Sequence, residues 1–246
     1  MKLKIYDKIT ASKEQGTQWK TITVAFLGDS VTQGCFEVYK TGELTIDTVY
    51  SYKDAFSTKF REIMNLLYPS MRVNIVNAGI SGDNAENGAR RVDADALAFH
   101  PDLLVVSYGL NDAVSGGADG INAYAENLRI IFEKAQKQGC DVIYLTQNCM
   151  NTSISCHLND PLLKDLAKQF ADLQNNGVLK AYFEAGKKVA MECGALICDG
   201  YAVWEKLIQA DVNVTELLSN KLNHPIKEYH TYIAAKLIEK ILDINI

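Results

Sequence analysis

Four short stretches hold side chains able to do chemistry, and they are spread from position 28 to position 225: Gly28-Asp29-Ser30, Ser81-Gly82-Asp83, Gly109-Leu110-Asn111-Asp112 and Asn223-His224-Pro225. A serine hydroxyl is a weak nucleophile until a base takes its proton, and an imidazole held on a loop is the usual base. Ser30 stands where an apolar run enters a turn, so backbone amides and the positive end of a following helix would favour negative charge developing there. Gly82 lets a backbone N–H approach an oxyanion closely, and the side-chain amide of Asn111 can donate to the same oxygen. Each stretch also has a plainer reading. Asp29 or Ser30 can cap a helix, Gly82 can serve a turn that needs positive φ, Asn111 can belong to a simple turn, and His224 before Pro225 can mark a helix entry. The common placement is the stronger signal, because three of the four stretches follow a predicted strand.

The elements that must position these residues are legible as apolar runs alternating with helical stripes. Strands are predicted over 22–27, 73–76, 103–107, 142–145 and 195–198. Phe56, Phe60, Ile63 and Leu67 form a helical stripe stopped by Pro69, and a polar helix-like stretch runs to Phe99. Ile121, Ala125, Leu128, Phe132 and Ala135 form a further stripe closed by Gly139. Helical sequence between the last two strands breaks near Asn175-Asn176-Gly177, and Tyr229, Ile233 and Leu237 mark a closing helix. This alternation predicts one doubly wound α/β domain over residues 1–246 with a mainly parallel sheet. In such sheets ligands meet the chain where strands end, which puts three of the four stretches on one edge.

Composition limits the partners. With 48% hydrophobic and 22% charged residues, the 246-residue chain has the usage of a globular protein with a sizeable core. Its 30 acidic and 25 basic residues are spread without blocks, so there is no basic stripe for a nucleic acid. No apolar run approaches the ~18 residues needed to cross a bilayer. The N-terminal stretch is too charged for a leader's apolar region, so a cytoplasmic protein, or the mature form of a secreted one, is expected. Cys35, Cys140, Cys149, Cys156, Cys193 and Cys198 follow no paired spacing and read as reduced, mostly buried thiols. Cys149, Cys156 and His157 lie close in sequence, but without a second spaced pair they read as packing or loop residues and no metal site is expected.

Taken together, Gly28-Asp29-Ser30, Gly82, Gly109-x-Asn111-Asp112 and His224-Pro225 resemble the four blocks of the SGNH hydrolases, also called the GDSL esterase/lipase family. The resemblance implies a flavodoxin-like, three-layer α/β/α fold on a five-stranded sheet. It also implies serine-dependent ester hydrolysis with no metal or organic cofactor. Ser30 would be the nucleophile and His224 the general base. The N–H groups of Ser30 and Gly82 and the Asn111 amide would form the oxyanion hole.

One position departs from the pattern. The family places Asp three residues before the His, where this chain has Lys221, and a lysine cannot accept an imidazole N–H. Asn220, Asn223, Glu216 or a backbone carbonyl of the same loop are the candidate acceptors. A Ser-His dyad helped by a carbonyl or an Asn is preferred over Glu216, which is eight residues away. A second departure is the long segment 34–51, which carries Phe36, Tyr39 and Tyr50, with Tyr52 just beyond it. These rings either wall a substrate site and stack on a sugar or cover the first helix. Trp204 is a further wall candidate, with core packing its preferred role. The expected activity is removal of acetyl or another short acyl group from a sugar or oligosaccharide. A lipolytic or thioester hydrolase for short chains, and a non-catalytic carbohydrate-binding relative, are the alternatives.

Overall fold

The computed structural model describes residues 3–10, 21–43 and 45–243. Met1 and Lys2, part of the N-terminal stretch read above, lie outside the described residues. The elements begin with α1 (Lys4–Thr10), β1 (Thr21–Gly28), α2 (Ser30–Gln33), β2 (Cys35–Lys40), β3 (Ile46–Tyr50), α3 (Phe56–Leu67) and β4 (Arg72–Gly79). They continue with α4 (Ala85–Asp95), β5 (Leu103–Ser107), α5 (Leu110–Gly116), α6 (Ile121–Lys137) and β6 (Asp141–Thr146). The last are α7 (Pro161–Asn175), α8 (Val178–Glu192), β7 (Leu196–Asp199), α9 (Tyr201–Gln209) and α10 (Lys227–Leu242).

Five strands form one parallel sheet in the order β4-β1-β5-β6-β7, and they are the five predicted from apolar runs. Residues 103–107 are all buried, as expected of an inner parallel strand covered on both faces. On one side α3 packs against β4 and α10, with α1 beside β1 and α10; on the other, α4 packs against α6 and α6 against α8. The result is the three-layer α/β/α arrangement with flavodoxin-like strand order. Phe26 of β1 meets Phe56 and Phe60 of α3 edge to face, at 5.5 and 5.7 Å between ring centroids. Fully burying a ring of this kind stabilises the fold by roughly 1.5–3 kcal/mol.

The chain leaves β1 for β4 on one side and later enters β5 on the other. The strand order therefore reverses at β1, and the switch point, where sheets of this kind take their ligands, lies at the carboxyl ends of β1 and β5. Ser30 follows β1 and Asn111 follows β5, so both stand at this switch point.

Two features differ from the sequence reading. The stretch read as helical to Phe99 ends as α4 at Asp95, and a separate 3-10 turn covers Leu97–Phe99. Within segment 34–51, read without strands, β2 and β3 pair antiparallel as a hairpin separate from the main sheet. Most of its residues are exposed or half-exposed, so no apolar alternation marked it in advance. Lys40 ties it to Asp160 at 3.0 Å, and the Ser219 hydroxyl donates to Glu37 at 2.6 Å.

Candidate active site

Asp29 caps α2, its Oδ1 accepting the Val31 N–H at 3.0 Å, and this fixes Ser30 as the first residue of a single helical turn. Gly79 of β4 faces that turn. A Cβ there would lie 2.2 Å from the Gln33 nitrogen, so only glycine lets the backbone of α2 pass this close to the sheet. The Gln33 Oε1 accepts the Ser81 N–H at 2.7 Å, and the Gly28 carbonyl accepts the Ile80 N–H at 3.1 Å, strapping the loop that carries Gly82 to the end of β1. Gly82 adopts φ +79, the left-handed region that favours glycine, in open surroundings. Among the described residues, neither the Ser30 nor the Gly82 amide donates to another protein group. Asn111 donates Nδ2–H to the Asp83 carbonyl at 2.8 Å, which links β5 to the same loop and leaves the second N–H of that amide to point elsewhere.

Asp83 is clamped in turn. Its Oδ2 accepts from Arg91 Nε at 2.7 Å and from the Tyr108 hydroxyl at 2.9 Å. Arg91 Nη2 also donates to the Gly28 carbonyl at 3.0 Å. One guanidinium thus joins the ends of β1, β5 and the Gly82 loop, with a geometry suited to several acceptors at once.

His224 reaches the site from a tight loop. Asn220 Oδ1 accepts the backbone N–H groups of Leu222, Asn223 and His224 at 3.0, 3.0 and 2.9 Å. Asn148 Nδ2 donates to the Asn223 carbonyl at 2.7 Å, and Ser219 N–H donates to the His224 carbonyl at 2.7 Å. His224 Nε2 then stands 2.9 Å from Ser30 Oγ. Its Nδ1 is 3.3 Å from the Phe36 carbonyl, a long hydrogen bond. A carbonyl can only accept, so Nδ1 carries the proton and Nε2 presents its lone pair to the serine hydroxyl.

This corrects the choice of His-orienting group. The acceptor is a backbone carbonyl, but it comes from the β2–β3 hairpin and not from the His224 loop. The hairpin register shifts between Cys35 and Glu37, leaving Phe36 unpaired at a bulge, and bulges commonly re-aim a residue in this way. Asn220 and Asn223 hold the loop and, among the described residues, make no hydrogen bond to the imidazole; Asn220 Nδ2 donates to Asn223 Oδ1 at 3.0 Å. Glu216 is engaged by Ser155 Oγ at 2.8 Å and Lys221 Nζ at 3.0 Å. Lys221 sits at φ +59 with its ammonium on Glu216, directed to that partner instead of the imidazole.

The aromatic wall candidates also separate. Phe36 is buried against His230, at 4.8 Å between ring centroids, so its part in the site is played by its backbone. Trp204 is buried against Tyr229 at 4.9 Å and belongs to the core. Tyr39 and Tyr50 are exposed on the hairpin, and Tyr50 stacks on Tyr52 with 17° between ring planes. Of the cysteines considered for metal binding, Cys149 lies in the core and Cys156 at the surface.

Burial dominates the electrostatics. It pushes the Asp29 carboxyl up to about 7 against the opposing bonds from Gln147 and Val31, and the Asp112 carboxyl up to about 6. It pulls His224 down to about 4, with the Phe36 carbonyl opposing, and His230 down to about 3. His230 accepts the Phe56 N–H on Nδ1 at 3.1 Å, a bond that requires its neutral form. The sequence reading missed the Phe36 carbonyl, Arg91, Tyr108 and Gln147. A bulge and contacts across tens of residues have no local signature.

A buried Ser-His pair thus stands at the switch point of a parallel sheet, with backbone and side-chain donors beside it. The chain belongs to the GDSL-like lipase/acylhydrolase family, whose model matches residues 26–231. It is 30% identical over 139 residues to the uncharacterized lipoprotein YqeF of Bacillus subtilis (strain 168), covering 52% of this chain and 56% of that protein. It is 29% identical over 87 residues to an acetylxylan esterase of Geobacillus stearothermophilus, covering 35% of this chain and 38% of that protein. The matches thus span about half or less of these curated relatives. The crystal structure of Axe2, an acetylxylan esterase from Geobacillus stearothermophilus, superposes with a TM-score of 0.65 at 18% identity, covering 91% of this chain and 95% of that one. Among the described residues, no helix is long and apolar enough to cross a membrane.

Proposed function

We propose that the protein is a serine esterase that removes acetyl or another short acyl group from a carbohydrate, through a Ser30–His224 dyad. The observation that carries this reading is the 2.9 Å approach of His224 Nε2 to Ser30 Oγ, with the opposite ring nitrogen held on the Phe36 carbonyl. His224 takes the Ser30 proton as Oγ bonds to the ester carbonyl carbon. The negative charge that forms on the carbonyl oxygen is met by the N–H groups of Ser30 and Gly82 and the free N–H of the Asn111 amide. The imidazolium passes its proton to the departing alkoxide as the C–O bond breaks. Water then adds to the acyl-enzyme with His224 again as base, and Ser30 leaves with a proton restored. The carbohydrate part of the reading is supported by the acetylxylan esterase relative and by the exposed Tyr39, Tyr50 and Tyr52 on and beside the hairpin.

The test is a panel of p-nitrophenyl esters from acetate to octanoate, run beside acetylated xylo-oligosaccharides and acetylated amino sugars. Acetate should give the highest kcat/KM, and acetate should be released from at least one sugar substrate. A preference for octanoate would replace the carbohydrate reading with a lipolytic one.

The depressed imidazole sets the pH dependence. His224 must be neutral to accept the serine proton, and burial keeps it neutral down to about 4. The acid limb of kcat/KM should therefore have its midpoint near pH 4, well below the ~6.5 of an ordinary histidine. A midpoint near 6.5, measured on p-nitrophenyl acetate, would show that the ring is solvated in the working enzyme.

A further inference from the structure

Gln147 directly follows β6 at the carboxyl edge of the sheet and is buried. Both ends of its side chain are in use. Nε2 lies 2.9 Å from each carboxylate oxygen of Asp29, and Oε1 accepts the Leu110 N–H at 3.1 Å. Asp29 immediately precedes Ser30, and Leu110 immediately precedes Asn111. We propose that Gln147 is a positioning residue for ester hydrolysis, its single carboxamide setting the separation between Ser30 and Asn111. The inference rests on the esterase reading above.

The chemistry of the two partners fixes the orientation of that amide. An ionised Asp29 only accepts and the Leu110 amide only donates, so Nε2 must face the first and Oε1 the second. The N-cap residue of α5, Gly109, has no side chain to hold the helix start, and Gln147 supplies that bond from another strand. Since β5 lies between β1 and β6, the side chain spans the ends of three adjacent strands. A hydrocarbon at position 147 would leave the Leu110 N–H and Asp29 Oδ2 buried without the bonds Gln147 gives them, Oδ1 keeping the Val31 N–H, whereas a carboxylate would set acceptor against acceptor on the Asp29 side.

Two variants separate positioning from simple support. Gln147→Leu removes both bonds. Gln147→Glu keeps the shape and the Leu110 bond, and it donates to Asp29 only while the two carboxyl groups share a proton. The charged and titratable groups that act on Asp29 are Asp83, Asp112 at the start of α5, Cys35, Tyr108 and Tyr124. The cation beside them, Arg91, donates to the neighbouring Gly28 carbonyl and is already paired with Asp83, so a second ionisation at position 147 would meet carboxylates already in place.

The experiment measures kcat and KM on p-nitrophenyl acetate from pH 6 to 9, together with the rate of fluorophosphonate labelling and a thermal melt for each protein. Misplacement by about 1 Å can cost ~10²-fold, so Gln147→Leu should lose kcat by at least ~30-fold with KM within ~3-fold. The Glu variant should stay near wild type at pH 6, and its kcat relative to wild type should fall by ~10-fold or more towards pH 9. Folded variants with wild-type kcat at every pH would overturn the proposal. If the Leu variant does not fold, the pH profile of the Glu variant decides. A wild-type protein that neither labels nor hydrolyses any ester would bring down the esterase reading and this role with it. A reactive wild type with unaffected variants would remove the positioning role alone.

Discussion

Replacing Ser30 with alanine is expected to lower turnover of an acetyl ester by ~10⁴–10⁶ while the protein stays folded, and His224→Ala should cost about as much. The fold should survive because, among the described residues, the Ser30 hydroxyl bonds to His224 Nε2 alone, and the helix start is held by Asp29 and not by the serine. The sharper part of the prediction is the double variant. The two side chains perform one proton transfer, so removing both should be little worse than removing either. Additive losses in kcat/KM would mean that the 2.9 Å contact is not the catalytic one. Fluorophosphonate labelling gives the same answer without a substrate: the wild type should label at Ser30 and His224→Ala should label far more slowly.

The proposed dyad asks a particular thing of the hairpin. In a triad a carboxylate both orients the imidazole and offsets the charge of the imidazolium. Here the Phe36 carbonyl orients the ring through a neutral hydrogen bond at 3.3 Å. A carbonyl dipole stabilises an adjacent cation less than a carboxylate does, which agrees with the low value of about 4 for His224. Phe36 is held by its ring against His230, and His230 is held by the Phe56 amide at the start of α3. The acceptor's position therefore depends on packing of β2 against α3 and α10, and the hairpin is tied further out to Asp160 and Ser219.

How much of this was legible in the sequence follows the physics of each part. β1, β5 and β6 were legible because inner parallel strands are apolar on both faces, the edge strands β4 and β7 from shorter apolar runs, and α7 and α8 because Gly177 at φ +75 breaks the pattern between them. Ser30 and His224 were legible as candidates from their place in the chain, though the contact between them spans 194 positions and needed the fold to appear. The hairpin was not legible, since its side chains are largely solvated and turn chemistry was the only local cue. The His-orienting group was out of reach for a deeper reason. Every residue has a carbonyl, and only the bulge at Phe36 selects this one. Asn220, Asn223, Glu216 and the carbonyls of the same loop all lie near the histidine in sequence, while the acceptor lies 188 positions away.

Asn111→Ala is expected to lower kcat on p-nitrophenyl acetate by ~10²–10³, about 2.7–4 kcal/mol of transition-state stabilisation, with KM little changed. One N–H of its amide is fixed on the Asp83 carbonyl at 2.8 Å, which sets the direction of the other. That preorganisation depends on the Asp83 side chain being held by Arg91 and Tyr108, so the donor is aimed before any substrate arrives. Backbone donors from Ser30 and Gly82 would remain in the variant, which is why the loss should stop short of that for Ser30→Ala. Asn111→Asp makes the argument stricter. It has nearly the same shape but replaces the amide donor with an acceptor, facing both the Asp83 carbonyl and the developing oxyanion. At neutral pH the Asp variant should therefore be slower than the Ala variant, although it conserves more atoms. If Asn111→Asp retained more activity than Asn111→Ala, or if the Ala variant lost less than ~3-fold, Asn111 would be a structural link between β5 and the Gly82 loop and not an oxyanion donor.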